Sequence, residues 1–180
     1  MLLDEIIAQA SSELTKIEEN NKEKRIKSDE VVLKCGKIVQ LIHSGNLELA
    51  EKQLNEIKIT EAKTEIAEQE YVETLSLLYI LKRKEIPHYS ELKVSPSSYL
   101  LGLADVLGEL RREIIEHMRK DKYEEANYLF EKMEFIYENL VQLRHSSSVL
   151  NNFRRKLDVS RSSVELCRRD LLMYKISKNL

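Results

Sequence analysis

Helix breakers are almost absent from this chain: two prolines and four glycines in 180 residues. So few breakers leave room for long helices and little room for the turns of a sheet. The apolar positions agree, since most stretches repeat every three to four residues rather than every two. The expected class is all-α. At 180 residues the chain has the size of one common domain, so residues 1–180 are read as a single helical unit.

Seven helices are expected. The first spans about Leu2 to Glu19, and Asn20-Asn21 is read as an interruption. The second runs from about Ser28 to His43, with Val31, Cys35, Ile38, Val39 and Ile42 on one face and Gly45 ending it. A short third covers Leu47 to Ile57, and a fourth covers Glu61 to Lys84 before Pro87. The fifth starts at Ser95-Pro96, a capping serine followed by a proline at the first helical position, and reaches Lys120. The sixth spans Lys122 to Leu143, with Ala126, Leu129, Phe130, Met133, Ile136 and Leu140 inward. Ser146-Ser147-Ser148 marks the last break. The seventh helix, ending near Ile176, carries a sevenfold seam: Leu150, Phe153, Leu157, Ser160, Val164, Cys167, Leu171 and Tyr174. That seam requires a partner helix, in the same chain or another. Short turns between long helices give a bundle or an α-α superhelix.

Composition excludes several function classes. Hydrophobic residues at 42% and charged residues at 33% describe a globular chain, and a net charge of −2 gives no global basicity for nucleic acid. Cys35 and Cys167 are far apart, so a disulfide scaffold is not expected and a reducing interior is. No apolar run is long enough to span a membrane, and the acidic N-terminus is not a signal peptide, so a cytoplasmic location is expected. Glycine-rich phosphate loops, G-x-S-x-G and paired C-x-x-C motifs are missing. His43, His88, His117 and His145 are scattered without metal-ligand spacing, and each reads as a surface or satisfied core residue.

The anomaly lies in four acids. The stripe Ile66, Glu70, Glu73, Leu77, Ile80 has core spacing, yet two members are glutamates. From Tyr99 to Leu110 the only charges are Asp105 and Glu109, four apart on one face. Like charges at that spacing repel, and burial drives one carboxyl to take up a proton unless a cation is near. Gly102 and Gly108 flank Asp105 at three residues on either side, which suggests a close approach by a helix, an ion or a substrate backbone. Three explanations are open: acids on a solvated face, a buried ion-pair network with Arg111 or Arg112, or a metal site. Four carboxylates without His or Cys would favour a hard cation, Mg²⁺ or Mn²⁺. Basic residues form local groups at Lys82-Arg83-Lys84, at Arg154, Arg161, Arg168 and Lys175, and at Arg25, Lys27, Lys34 and Lys37. Each is either a helix-end or flanking charge or a nucleic-acid contact.

At these acids the chain resembles the translin family. Glu70-Tyr71-Val72-Glu73 with Leu75-Ser76 resembles the glutamate-bearing helix of the family's translin-associated factor X (Trax) branch. Ser98-Tyr99-Leu100-Leu101-Gly102-Leu103-Ala104-Asp105-Val106-Leu107-Gly108-Glu109-Leu110 resembles the family's most recognisable motif. The resemblance implies a seven-helix α-α superhelix assembling into closed octamers around a cavity. It implies a metal-dependent endoribonuclease acting on single-stranded RNA, with Glu70, Glu73, Asp105 and Glu109 as the acidic site. Within that site Glu73, Asp105 and Glu109 would be the metal ligands for Mg²⁺ or Mn²⁺, and Glu70 would position or deprotonate the water. Arg25, Lys37, Lys82 and Arg83 would steer the nucleic acid. The chain lacks the basic extension and long insertion of eukaryotic Trax and departs from the family around Glu138-Asn139. A short prokaryotic-type homo-oligomer is therefore expected, with a translin-like paralogue as a further partner and single-stranded DNA as a further ligand. The alternatives are a non-catalytic single-stranded nucleic-acid binder and a helical scaffold.

Overall fold

The computed structural model describes residues 2–143 and 149–178. Seven α-helices and one 3-10 turn make up the described part, and no strand occurs in it. They are α1 Leu3–His43, α2 Leu47–Asn55, the 3-10 turn Ile59–Glu61, α3 Glu65–Leu81, α4 Tyr89–Leu92, α5 Pro96–Arg119, α6 Tyr123–Val141 and α7 Phe153–Lys178. The all-α expectation holds. The expected break at Ser146-Ser147-Ser148 and the residue His145 lie outside the described residues.

The two expected N-terminal helices are one, 41 residues long. Asn20-Asn21 does not interrupt it: an exposed apolar stripe of Leu3, Ile7, Ala10, Leu14 and Ile17 precedes the pair, and a buried seam of Ser28, Val31, Cys35, Ile38 and Ile42 follows it on the same helix. Two asparagines on an exposed helix cost about 0.7 kcal/mol each against alanine, too little to break a helix held elsewhere by packing. From Ser28 onward the seam is buried; residues 2–27 are exposed throughout. Gly45 ends α1 as expected, with φ +79° and the Asn46 amide returning 2.9 Å to the Leu41 carbonyl.

α5 is the central helix, packed against α3, α6 and α7, while α1 covers α3 and α2 covers α1. α3 is shorter than the expected Glu61–Lys84 helix. Thr64 caps it, accepting from the Ala67 amide at 3.3 Å, and also meets Ser28 of α1 at 2.5 Å. From Thr74 to Leu78 α3 is buried all round, which explains its unbroken apolar run. Ile66 is the exception in the expected stripe: it is 65% exposed. Ser95 caps α5 as expected. Its own amide donates 3.0 Å to the buried carboxylate of Glu68, so α3 supplies the anion at the positive end of α5.

The α7 seam finds its partner within the chain. Leu150, Phe153, Ser160, Val164, Cys167 and Leu171 are buried, against α5 and α6. Cys35 and Cys167 are both buried free thiols.

Candidate functional site

α3 and α5 meet backbone to backbone where the four acids emerge. A Cβ on Gly102 would fall 2.7 Å from the Gln69 carbonyl oxygen and 2.8 Å from Val72 Cβ. Gln69 and Val72 bracket Glu70 and precede Glu73; Gly102 lies three residues before Asp105. Only glycine permits this approach, and it brings the two acid pairs into one field. Gly108 behaves differently. Its Cβ would meet nothing within 4 Å, and it forms part of the wall of two clefts on either side of α5.

The four carboxylates are not alike. Burial pushes the Glu73 carboxyl up to about 8, reinforced by the charges of Glu70, Asp105 and Glu109. Glu70 is raised by the same burial and by Asp105, with the Lys156 ammonium working against it. Asp105 is held by Lys156, whose ammonium bridges both of its oxygens. Glu109 is held below the usual carboxylate range by the hydrogen bond from His43, 2.5 Å to Nε2. The other ring nitrogen, Nδ1, meets the buried Glu113. These two carboxylates raise the His43 imidazole to about 9, so it carries a proton at neutral pH. The buried Cys35 thiol, beside Thr74, is pushed up to about 12 by burial, with Glu70 and Glu73 adding to it.

An ion-pair network therefore exists, but its cations are Lys156 and His43. Arg112 adds only a weaker field at Glu109, and Arg111 lies by Cys167 with its Nε unbonded. His43 and Lys156 escape sequence reading because their partners are 66 and 51 residues away. One signal was available: Asp105, Glu109 and Glu113 recur every four residues, a row of three acids rather than a pair.

Of the five carboxylates, Asp105 is bonded to Lys156 and Glu109 and Glu113 to His43, with Arg112 and His117 further off, while Glu70 and Glu73 have no such cation of their own, so the cluster is rich in acid. An all-oxygen donor set in a partly buried, electron-rich position suits a hard divalent ion. As the side chains stand, no three His, Cys, Asp or Glu among the described residues are gathered closely enough to grip a metal, Asp105 being turned onto Lys156 and Glu109 onto His43.

The expected basic residues are dispersed. Lys82 is tied to Glu48 at 2.7 Å and to Glu51 at 2.5 Å, both on α2. Arg83 pairs with Glu125 at 2.9 Å and covers the Tyr128 ring. Arg25 and Lys37 are exposed on α1. On α7, Arg168 pairs with Glu134 and Glu165, while Arg154 and Arg161 face solvent.

The model of the translin family matches residues 3–177. The chain belongs to the translin family. It is 35% identical over 162 residues to the uncharacterized protein MJ0175 of Methanocaldococcus jannaschii, covering 82% of this chain and 72% of that protein. Among solved structures it is similar to AfC3PO in a complex with duplex RNA, with TM-score 0.84 and 25% identity over 95% of this chain and 97% of the other. It is equally similar to AfC3PO in a second crystal structure, with TM-score 0.84 and 26% identity over 97% and 99% of the two chains. A third neighbour, apo-NeC3PO, has TM-score 0.82 and 25% identity over 97% and 98% of the two chains. The seven-helix translin-type fold is thus shared along nearly the whole chain. No helix among the described residues is long and apolar enough to cross a membrane.

Proposed function

We propose that this translin-family chain is a metal-dependent endoribonuclease, and that Glu70, Glu73, Asp105 and Glu109 form its reaction site. The observation that carries the reading is the close approach of α3 and α5 at Gly102, which gathers four carboxylates in one partly buried field. Burial and the other three acids push the Glu73 carboxyl up to about 8 there. A divalent ion removes that cost. Glu73, Asp105 and Glu109 would hold Mg²⁺ or Mn²⁺, which supplies Lewis acidity and neutralises charge on a phosphodiester. Glu70 is partly buried, and burial and the Asp105 charge raise its carboxyl above the usual range, which makes it a stronger base for the proton of an attacking water. His43 keeps Glu109 ionised and oriented. Aromatic residues are only 6% of the chain and include no tryptophan, so base stacking is limited and cleavage is expected to be weakly sequence-specific.

RNA as substrate is supported by the likeness to a chain solved with duplex RNA; the single strand is the form the family resemblance favours. A homo-oligomer, an octamer by the same resemblance, is supported by the exposed apolar half of α1, with Leu3, Ile7, Leu14 and Ile17 all more than half exposed.

A second reading is a nucleic-acid binder without catalysis. It is favoured by Asp105 and Glu109 already having partners in Lys156 and His43. Labelled single-stranded RNA, duplex RNA and single-stranded DNA, each incubated with Mg²⁺, Mn²⁺ or a chelator, separate the two. The nuclease reading expects cleavage that stops with the chelator and falls about 100-fold in Glu73→Gln. Binding without metal-dependent cleavage sinks it and leaves the binder.

A further inference from the structure

Lys156 enters the acid cluster from α7, a helix that carries none of the four acids. Its ammonium bridges both oxygens of Asp105. One turn further on, Ser160 Oγ donates 2.8 Å to the Lys156 carbonyl and reaches the Ala104 carbonyl at 3.4 Å. That buried hydroxyl packs α7 against α5 next to Asp105, and Lys156 and Asp105 are themselves each only about a quarter exposed. Asp105 and Lys156 lie in the wall of a cleft of about 350 Å³ between the two helices. The α7 side of this cleft holds Asn152, Arg155 and Ser163, and it is the N-terminal end of a 26-residue helix. The α5 wall of the cleft contributes one acid, Asp105, and the α7 wall two cations, Arg155 and Lys156.

We propose that Lys156 exchanges partners: it holds Asp105 in the metal-free chain, yields Asp105 to the divalent ion, and then contacts a phosphate oxygen of the RNA strand in the α5–α7 cleft. The proposal rests on the metal-dependent reading above and adds a substrate contact to it. Two facts drive the exchange. An ammonium already spanning both oxygens of a carboxylate is repelled by a divalent ion arriving at the same group. The released ammonium swings on a flexible four-carbon stem into a cleft whose other lining cation is Arg155, and the ligand that satisfies both is an anionic phosphate backbone. The N-terminus of α7 favours the same charge. No covalent step is involved; a cation moves from carboxylate to phosphate.

The exchange couples metal and RNA through one side chain, and the coupling is measurable without cleavage. Mn²⁺ binding is followed by calorimetry on the full chain, and RNA binding by anisotropy in a Glu70→Gln background that keeps the strand intact. Lys156→Gln is expected to bind Mn²⁺ about tenfold tighter than its parent, the scale of a typical coupling between sites. Arg155→Gln, removing a cation from the same cleft but not from Asp105, is expected to change Mn²⁺ affinity less than about twofold. With saturating Mn²⁺, Lys156→Gln should weaken RNA binding about fivefold; with chelator it should leave it unchanged. Should Lys156→Gln unfold, Lys156→Arg serves instead: its fork grips Asp105 more firmly, and Mn²⁺ should bind more weakly than to the parent. Equal Mn²⁺ affinity in parent and Lys156→Gln overturns the exchange while leaving the nuclease reading intact. Equal effects of the Lys156 and Arg155 substitutions overturn it as well, as a bulk-charge effect. Absence of Mn²⁺ binding in every variant overturns both.

Discussion

Gly102 and Gln69 are in van der Waals collision range for anything larger than hydrogen: a Cβ on the glycine would stand 2.7 Å from the glutamine's carbonyl oxygen. That carbonyl belongs to helical backbone and cannot swing away. Gly102→Ala therefore gains about 1 kcal/mol of helix propensity and loses more to overpacking, which costs about 1–3 kcal/mol. Gly108→Ala meets open space and gains about 1 kcal/mol without a clash. Denaturant unfolding of the two variants should show opposite signs, with Gly102→Ala also losing the proposed RNA cleavage because α3 and α5 are forced apart at the acids. A stabilised Gly102→Ala would refute the backbone contact.

His43 makes the metal-free fold sensitive to alkali. Its imidazole is raised from 6.5 to about 9 by hydrogen bonds to Glu109 and Glu113. The folded state therefore binds a proton that the unfolded state releases near 6.5. The resulting stabilisation is complete below about pH 6.5 and is lost as pH rises through about 9. Denaturant titrations across that window should show stability falling, and His43→Gln should flatten this slope. Equal slopes in the two proteins would show that the imidazole is not shared by the two carboxylates.

Glu73 has the opposite consequence for substitution. Its carboxyl is raised from 4.5 to about 8, so ionising it in the metal-free fold costs stability that grows between those values. Glu73→Gln is expected to be more stable than the parent above about pH 5, with the full difference reached beyond about pH 8. Added Mn²⁺ should erase the difference by stabilising only the parent. Thermal melts at pH 5, 7 and 9, with and without the ion, read this directly; a variant less stable at pH 9 would contradict it.

The exposed N-terminal half of α1 carries the spacing of a helix pair. Leu3, Ile7, Ala10, Leu14 and Ile17 alternate at spacings of four and three, the a/d pattern of a two-helix seam. Acids dominate from Asp4 to Glu19, while Lys22, Lys24, Arg25 and Lys27 follow, a polarity that an antiparallel second copy would neutralise. Ile7→Lys with Leu14→Lys should lower the mass in solution measured by light scattering and leave helix content unchanged. An unchanged mass would remove this seam from the assembly.

Much of the fold is written locally. Ser95-Pro96 and Gly45 sit where the caps they form demand them, and the α7 seam has the core spacing it shows in the packed chain. The asparagine pair misleads because local propensity is weaker than a seam anchored by Val31, Cys35 and Ile38. The acids are legible as misplaced charges in an apolar stretch. What satisfies Asp105 and Glu109 is not legible, since Lys156 and His43 reach them only once α7 and α1 have docked. Ile66 fails as a core residue because it lies on the outward side of the first turn of α3, whose inward side is taken by the buried Ala67 and Glu68.

One shaft joins two ends of this molecule. The uninterrupted α1 is about 60 Å long at 1.5 Å per residue, with its apolar tip in solvent and His43 as its last residue. Each residue of an α-helix turns the next by about 100°, and the phase of α1 is fixed where Val31, Cys35, Ile38 and Ile42 are buried. One docked segment thus serves as the bearing for the whole shaft: it aims the imidazole at Glu109 and sets the direction in which the stripe of Leu3, Ile7, Leu14 and Ile17 faces.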